Sequence, residues 1–175
     1  GVKRTVHTAV IICLAGGILI TVFGILFSHN ILALMNTKDE LIDGAVLYLR
    51  IYLLGMPALG LYNFGNAVLS AAGDTKRPLY YLAFAGIVNV FFVIVCHLGV
   101  AGVALASMIS QFISAFLILR ALLTGKEKYC LRLSEIRFDK RKAAGILKIG
   151  IPSAFQYSLF AFANLFVQSS VNSFD

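Results

Sequence analysis

The chain has 175 residues, of which 59% are hydrophobic and only 13% charged, and Lys and Arg outnumber Asp and Glu by 15 to 8. Soluble domains carry about a quarter charged residues, so this composition, with a mean hydropathy of +0.88, excludes an ordinary soluble fold and points to a lipid bilayer as the surrounding partner. A nucleic-acid partner is disfavoured too, because the bases are squeezed between long uncharged runs instead of covering a solvated face.

Five uncharged stretches approach or exceed the roughly 20 residues that a helix needs to cross about 30 Å of hydrocarbon. They are Thr8–Phe27, Ile51–Ala72, Leu79–Cys96, Val100–Leu119 and Ile149–Phe174. Spanning segments must satisfy their own backbone hydrogen bonds, so the expected fold class is all-α, a polytopic transmembrane helical bundle. The chain opens on Gly1 and stops at Asp175 directly after an apolar run, as expected of a piece of a longer protein.

Taken in order, the first run follows Lys3 and Arg4. The second holds Pro57 between Gly55 and Gly60, where a missing N–H predicts a kink and makes Pro57 a hinge candidate. Tyr62, Asn63 and Asn66 lie further along it. The third run carries Asn89. It is joined to the fourth by little more than His97-Leu98-Gly99, which makes the two antiparallel neighbours. Asn89 is about nine residues before that loop and Ser107 about nine after it, so the two are expected at similar depth. The fourth run also carries Ser110, Gln111 and Ser114.

Residues 124–148 are long, polar and basic and read as a linker. Phe138, Ala143, Ile146 and Leu147 interleave with Lys140, Arg141, Lys142 and Lys148, a pattern for a short helix in the headgroup layer that anchors the linker. The fifth run is the most polar, and its Gln156, Asn164, Gln168 and Asn172 line one face that must see protein or water.

Thirteen of the 15 bases fall on one side of these runs. Short basic loops stay cytoplasmic, so the chain start and the linker are expected inside and the fifth run ends outside. Arg50, near the outer start of the second run, can lift its guanidinium to the interface. No Asp, Glu, Lys or Arg occupies the middle of any run, which argues against a voltage sensor or a carboxylate proton relay.

An enzyme is not expected, and no catalytic or metal-ligating residue is assigned. The three cysteines are an odd number without a disulfide pattern, and His7, His29 and His97 sit near run ends without a cysteine at metal spacing. The substrate-pathway candidates are therefore the intramembrane polar groups: Tyr62, Asn63, Asn66, Gln111, Gln156, Asn164, Gln168 and Asn172. Asn89 and Ser107 are the cation-site candidates. Each also has a simpler reading, a hydrogen bond that glues two helices together.

Gly73-Asp74-Thr75-Lys76-Arg77-Pro78, then Gly99-Val100-Ala101-Gly102-Val103-Ala104-Leu105-Ala106-Ser107 with Ser110-Gln111, resembles the multidrug and toxic compound extrusion (MATE) transporters. So do Tyr48-Leu49-Arg50-Ile51-Tyr52 before Gly55 and Pro57, and Ile149-Gly150-Ile151-Pro152-Ser153 before Gln156, Asn164 and Gln168. The resemblance covers nearly the whole chain. It implies a two-lobe, twelve-helix fold of which this chain holds the third to seventh helices. Residues 1–123 would be part of the first lobe, 124–148 the cytoplasmic inter-lobe linker, and 149–175 the first helix of the second lobe.

It also implies a cation-coupled antiporter of the cell membrane that exports amphipathic or cationic drug-like molecules by alternating access, with Na⁺ or H⁺ as coupling ion and no cofactor. Its remaining partners are the other helices of the parent chain. Two departures stand out. An Asp that some members place four residues after Asn89 is here Val93, and a Glu eight residues after the second-lobe Pro is here Phe160. The alternatives are a flippase for lipid-linked saccharides of the same superfamily, which would need bases inside its cavity, and a membrane anchor fragment without transport.

Overall fold

The structure, a computed structural model, describes residues 2–35, 37–96, 99–125 and 129–172, with all their side chains except those of 96, 161 and 165–172. The elements are α1 (Val2–Leu34), α2 (Asp39–Leu54), α3 (Met56–Ala71), α4 (Lys76–Cys96), α5 (Gly99–Thr124) and α6 (Lys140–Asn172), with a short 3-10 turn at Leu133–Glu135. Helices α1, α4, α5 and α6 are each long and apolar enough to cross a bilayer, and α2 with α3, bent by 44°, makes a fifth span. Five spans among the described residues agree with the composition.

Their boundaries depart from the hydropathy runs in instructive ways. α1 has 33 residues and continues through Ser28, His29 and Asn30, because backbone bonding persists past the point where the surroundings turn polar. α2 begins at Asp39 rather than Ile51, with Asp39 and Glu40 in its first turn, where carboxylates complement the helix N-terminus. Arg50 therefore lies late in α2, and its Nε donates to Ser28 Oγ of α1 at 2.9 Å.

Pro57 is not in a helix interior. The helix stops at Leu54 and restarts at Met56, which puts Pro57 in the first turn of α3, where a missing N–H costs nothing. The expected short surface helix is also corrected: Lys140–Lys148 is the first part of the continuous 33-residue α6, which runs through Pro152. The turn between α3 and α4 is as tight as its sequence requires. Gly73 has φ 90°, a conformation that glycine adopts without steric cost, and Asp74 Oδ1 accepts from the Arg77 N–H at 3.2 Å. The His97–Leu98 part of the α4–α5 loop lies outside the described residues.

α5 is central, packing on α2, α3 and α4, while α1 packs on α2, α3 and α6. Gly102, Ala106, Ser110, Ser114, Ile118 and Leu122, at every fourth position, form its buried face. Mostly small residues let neighbouring backbones approach, which is how helices associate in lipid without a hydrophobic driving force. The buried hydrophobic cluster joins Val6, Val10, Tyr62, Phe64, Leu69, Ile118 and Leu122 with Leu131 of the linker.

That linker is docked, not free. The Arg132 N–H donates to His7 Nε2 at 3.1 Å and the Asp139 N–H donates to Thr8 Oγ1 at 3.2 Å, while the Thr8 hydroxyl lies 3.5 Å from the Arg137 carbonyl. His7 and Thr8 are both buried. Lys3 pairs with Glu135 at 3.6 Å. Desolvation pushes the Glu135 carboxyl upward, but Lys3 and Arg132 outweigh it and hold the group below the ordinary carboxylate range. The pair is accordingly intact at neutral pH and lost only as pH falls through that lowered value. Replacing Thr8 by Val should leave the half-buried Asp139 N–H without its partner, costing about 1 kcal/mol locally, and should raise the rate of trypsin cleavage at Arg132 and Arg137 several-fold.

Candidate functional site

The break between α2 and α3 follows from Pro57. Without an N–H, Pro57 cannot bond the carbonyl of Leu53 four residues back, which is met by a backbone N–H at the end of α2 instead. Thr21 of α1 adds a second donor: its hydroxyl lies 2.7 Å from the Leu53 oxygen and 2.9 Å from that of Gly17. The approach is possible because Gly17 has no side chain. A Cβ there would lie 2.6 Å from Pro57 Cα and 3.1 Å from the Met56 oxygen. One turn into α3, Gly60 repays the contact, since its Cβ would meet the Cys13 carbonyl at 3.1 Å.

On the other side of the break, Gln111 of α5 rests against Gly55, in the space that a side chain there would fill. Its Oε1 is buried and has no hydrogen-bond partner among the described residues. Such an acceptor costs about 1–3 kcal/mol unless something else occupies it. One turn earlier on the same face of α5, Ser107 Oγ accepts from Asn89 Nδ2 of α4 at 3.3 Å. Asn89, Ser107 and Gln111 therefore form a polar seam along α5 that ends at the broken span. It offers neutral oxygens suited to a hard cation or to a donor-bearing ligand; among the described residues, no cluster of His, Cys, Asp or Glu is fit to hold a metal.

The other candidates are dispersed. Tyr62 is buried and its hydroxyl donates to the Pro78 carbonyl at 2.9 Å, tying α3 to the start of α4. Phe64 is in the core cluster. Asn66 accepts from Ser70 within α3 at 3.1 Å, and Asn63 is exposed. Gln156 and Asn164 lie exposed on α6, whereas Gln168 and Asn172 are on α6 but outside the described side chains. Reading the chain alone misses Gly17 and Thr21. Their only signal is a small and a polar residue four apart in a run otherwise as apolar as α1.

The model of the MatE family matches residues 1–95, more than half of the chain. The chain belongs to the MATE family. Among curated relatives of this MATE chain, the probable multidrug resistance protein YpnP of Bacillus subtilis is 34% identical over 86% of the chain and 34% of its own length. The probable multidrug resistance protein YoeA of the same organism is 29% identical over 98% of the chain and 40% of its length. The chain thus spans between a third and two fifths of these relatives. Two solved structures share its fold. An inward-facing multidrug resistance MATE family transporter of the MOP superfamily superposes with a TM-score of 0.77 over 86% of this chain and 36% of that one, at 24% identity. A MATE crystal structure in the bent conformation gives 0.78 over 86% and 35%, again at 24% identity. A MATE chain of five apolar spans is a multi-pass membrane protein.

Proposed function

We propose that this chain is part of a cation-coupled antiporter that exports amphipathic or cationic small molecules by alternating access, with Na⁺ or H⁺ as the coupling ion. The observation that carries the reading is the unpartnered Gln111 Oε1 at the 44° break between α2 and α3. Transporters place irregular helices and spare polar groups where substrate and ion bind and where one body moves against another. The names of the curated relatives support the same class of activity.

In this reading residues 1–123 belong to the first lobe, 124–148 link the lobes on the cytoplasmic side of the cell membrane, and 149–175 open the second lobe. The Gln156 and Asn164 face of α6, exposed in this chain, then lines a pathway completed by further helices of the transporter. Pro57 is the hinge. Asn89 and Ser107 contribute neutral oxygens to the ion, because Asn89 Nδ2 uses only one of the pair's lone pairs.

The test is efflux of a cationic dye from cells carrying the full-length transporter, with Na⁺ and H⁺ gradients imposed separately. Gln111→Leu should abolish export at normal expression, and Asn89→Leu should weaken the dependence on one gradient. Normal export by Gln111→Leu would defeat the reading. Topology is tested on its own terms. Cys130 is buried and serves poorly as a reporter, so cysteines at the exposed positions Ser134 and Glu40 are used in a background lacking the native thiols. In right-side-out vesicles an impermeant thiol reagent should label the cysteine at position 40 and spare the one at 134.

A further inference from the structure

Where the linker returns to α1, the two enclose a cleft of about 750 Å³, within the range of about 300–1,000 Å³ typical of small-molecule sites. Lys3 and Arg4 face it from α1, and Arg137 and Lys140 from the linker and the first residue of α6. Two carboxylates are also present, but both are engaged. Glu135 is held by Lys3 at 3.6 Å and by Arg132 at 3.3 Å. Asp139 Oδ1 accepts from the N–H groups of Arg141 at 3.0 Å and Lys142 at 3.3 Å. Arg4, Arg137 and Lys140 consequently form no ion pair among the described residues. The cleft has an excess of positive charge converging from two elements.

Its depth identifies the anion. Lys3 and Arg4 are the last bases before the uncharged stretch of α1, so the cleft lies at the headgroup level of the bilayer. Phe138 on its wall is 54% exposed, and Leu133, next in the chain to Ser134 of the lining, is 70% exposed. Apolar side chains standing open next to bases suit the boundary between headgroups and acyl chains. A soluble phosphate would make no use of them, and a zwitterionic lipid would bring its own cation among the bases. We propose that this cleft binds the phosphodiester of an anionic phospholipid, with Arg4, Arg137 and Lys140 on the phosphate and Phe138 against the glycerol and upper acyl region. The bound lipid would bridge α1 to the linker and the start of α6. The proposal does not depend on transport.

The probes are dioleoylphosphatidylglycerol, dioleoylphosphatidylcholine and inorganic phosphate, added to the detergent-purified protein and followed by native mass spectrometry. Phosphatidylglycerol should bind in preference to phosphatidylcholine. Combined Arg4→Gln, Arg137→Gln and Lys140→Gln should weaken it about ten-fold or more, because bases near an anionic surface supply much of the attraction. Lys76→Gln with Arg77→Gln, at a separate loop, should leave it unchanged. A second readout avoids the triple variant. The chain has no tryptophan, so Phe138→Trp reports on the cleft alone, and brominated phosphatidylglycerol should quench it more strongly than brominated phosphatidylcholine. Equal quenching by the two lipids, equal weakening by the Lys76 and Arg77 changes, or displacement of phosphatidylglycerol by millimolar phosphate would each overturn the proposal.

Discussion

Replacing Gly17 by valine is expected to prevent native packing of α1 on α3, whereas the same change at the adjacent Gly16 is expected to be nearly silent. At Gly17 the new Cβ would lie 2.6 Å from Pro57 Cα and 3.0 Å from Pro57 N. Both are backbone atoms, fixed by the proline ring and by the first turn of α3, so no side-chain rotation relieves the clash. Overpacking typically costs about 1–3 kcal/mol, and a collision between two backbones belongs at or beyond the top of that range. Gly16 has nothing within 4 Å of its Cβ position, and a change there should stay within about 0.5 kcal/mol. Fluorescence-detected size exclusion after a heating series separates the cases: the Gly17 variant should lose its monodisperse peak many degrees below the Gly16 variant. Equal thermal survival would show that α1 and α3 do not cross as described.

The second large effect concerns coupling rather than clash. Thr21→Val should cost about 1 kcal/mol, because the Leu53 carbonyl, 2.7 Å from the Thr21 hydroxyl, then keeps only the backbone N–H at the end of α2. Pro57→Ala restores an N–H that can bond that same carbonyl if the 44° bend relaxes toward a straight helix. In the Pro57→Ala background, Thr21→Val should therefore cost about 0.5 kcal/mol less, a coupling measurable by a double-mutant cycle on unfolding midpoints. Strict additivity would mean that the hydroxyl and the proline do not act on one carbonyl. If the bend is the hinge proposed above, Pro57→Ala should also slow export while leaving expression and thermal stability intact.

How much of this is legible in the amino-acid sequence depends on the range over which each feature is determined. The spans are legible because lipid imposes one rule on about 20 consecutive residues. The approach of Asn89 to Ser107 is also legible, since a tight loop equates distance from the turn with depth. The bend is legible as a consequence of Pro57, though it falls two residues earlier because a proline is most easily housed in a first turn. Pro152 misleads for the converse reason. It looks like a helix opener, but the carbonyl that it frees is that of Lys148, an exposed residue where water can satisfy it, so α6 passes through. The contacts of His7 and Thr8 with the linker are illegible. They join residues 125 and 131 positions apart and are made to backbone groups, which no side-chain pattern announces.

Those same contacts make the linker a ruler. Two adjacent residues of α1 hold the main chain at Arg132 and at Asp139, and neither contact reads a linker side chain. Drift in residue identity between these two points should then be tolerated, while any change in their spacing should not. A single inserted residue lets only one contact form and shifts the register at which α6 begins, turning every downstream side chain by about 100° around its axis. Comparison of linkers of unequal composition should therefore find them conservative in length.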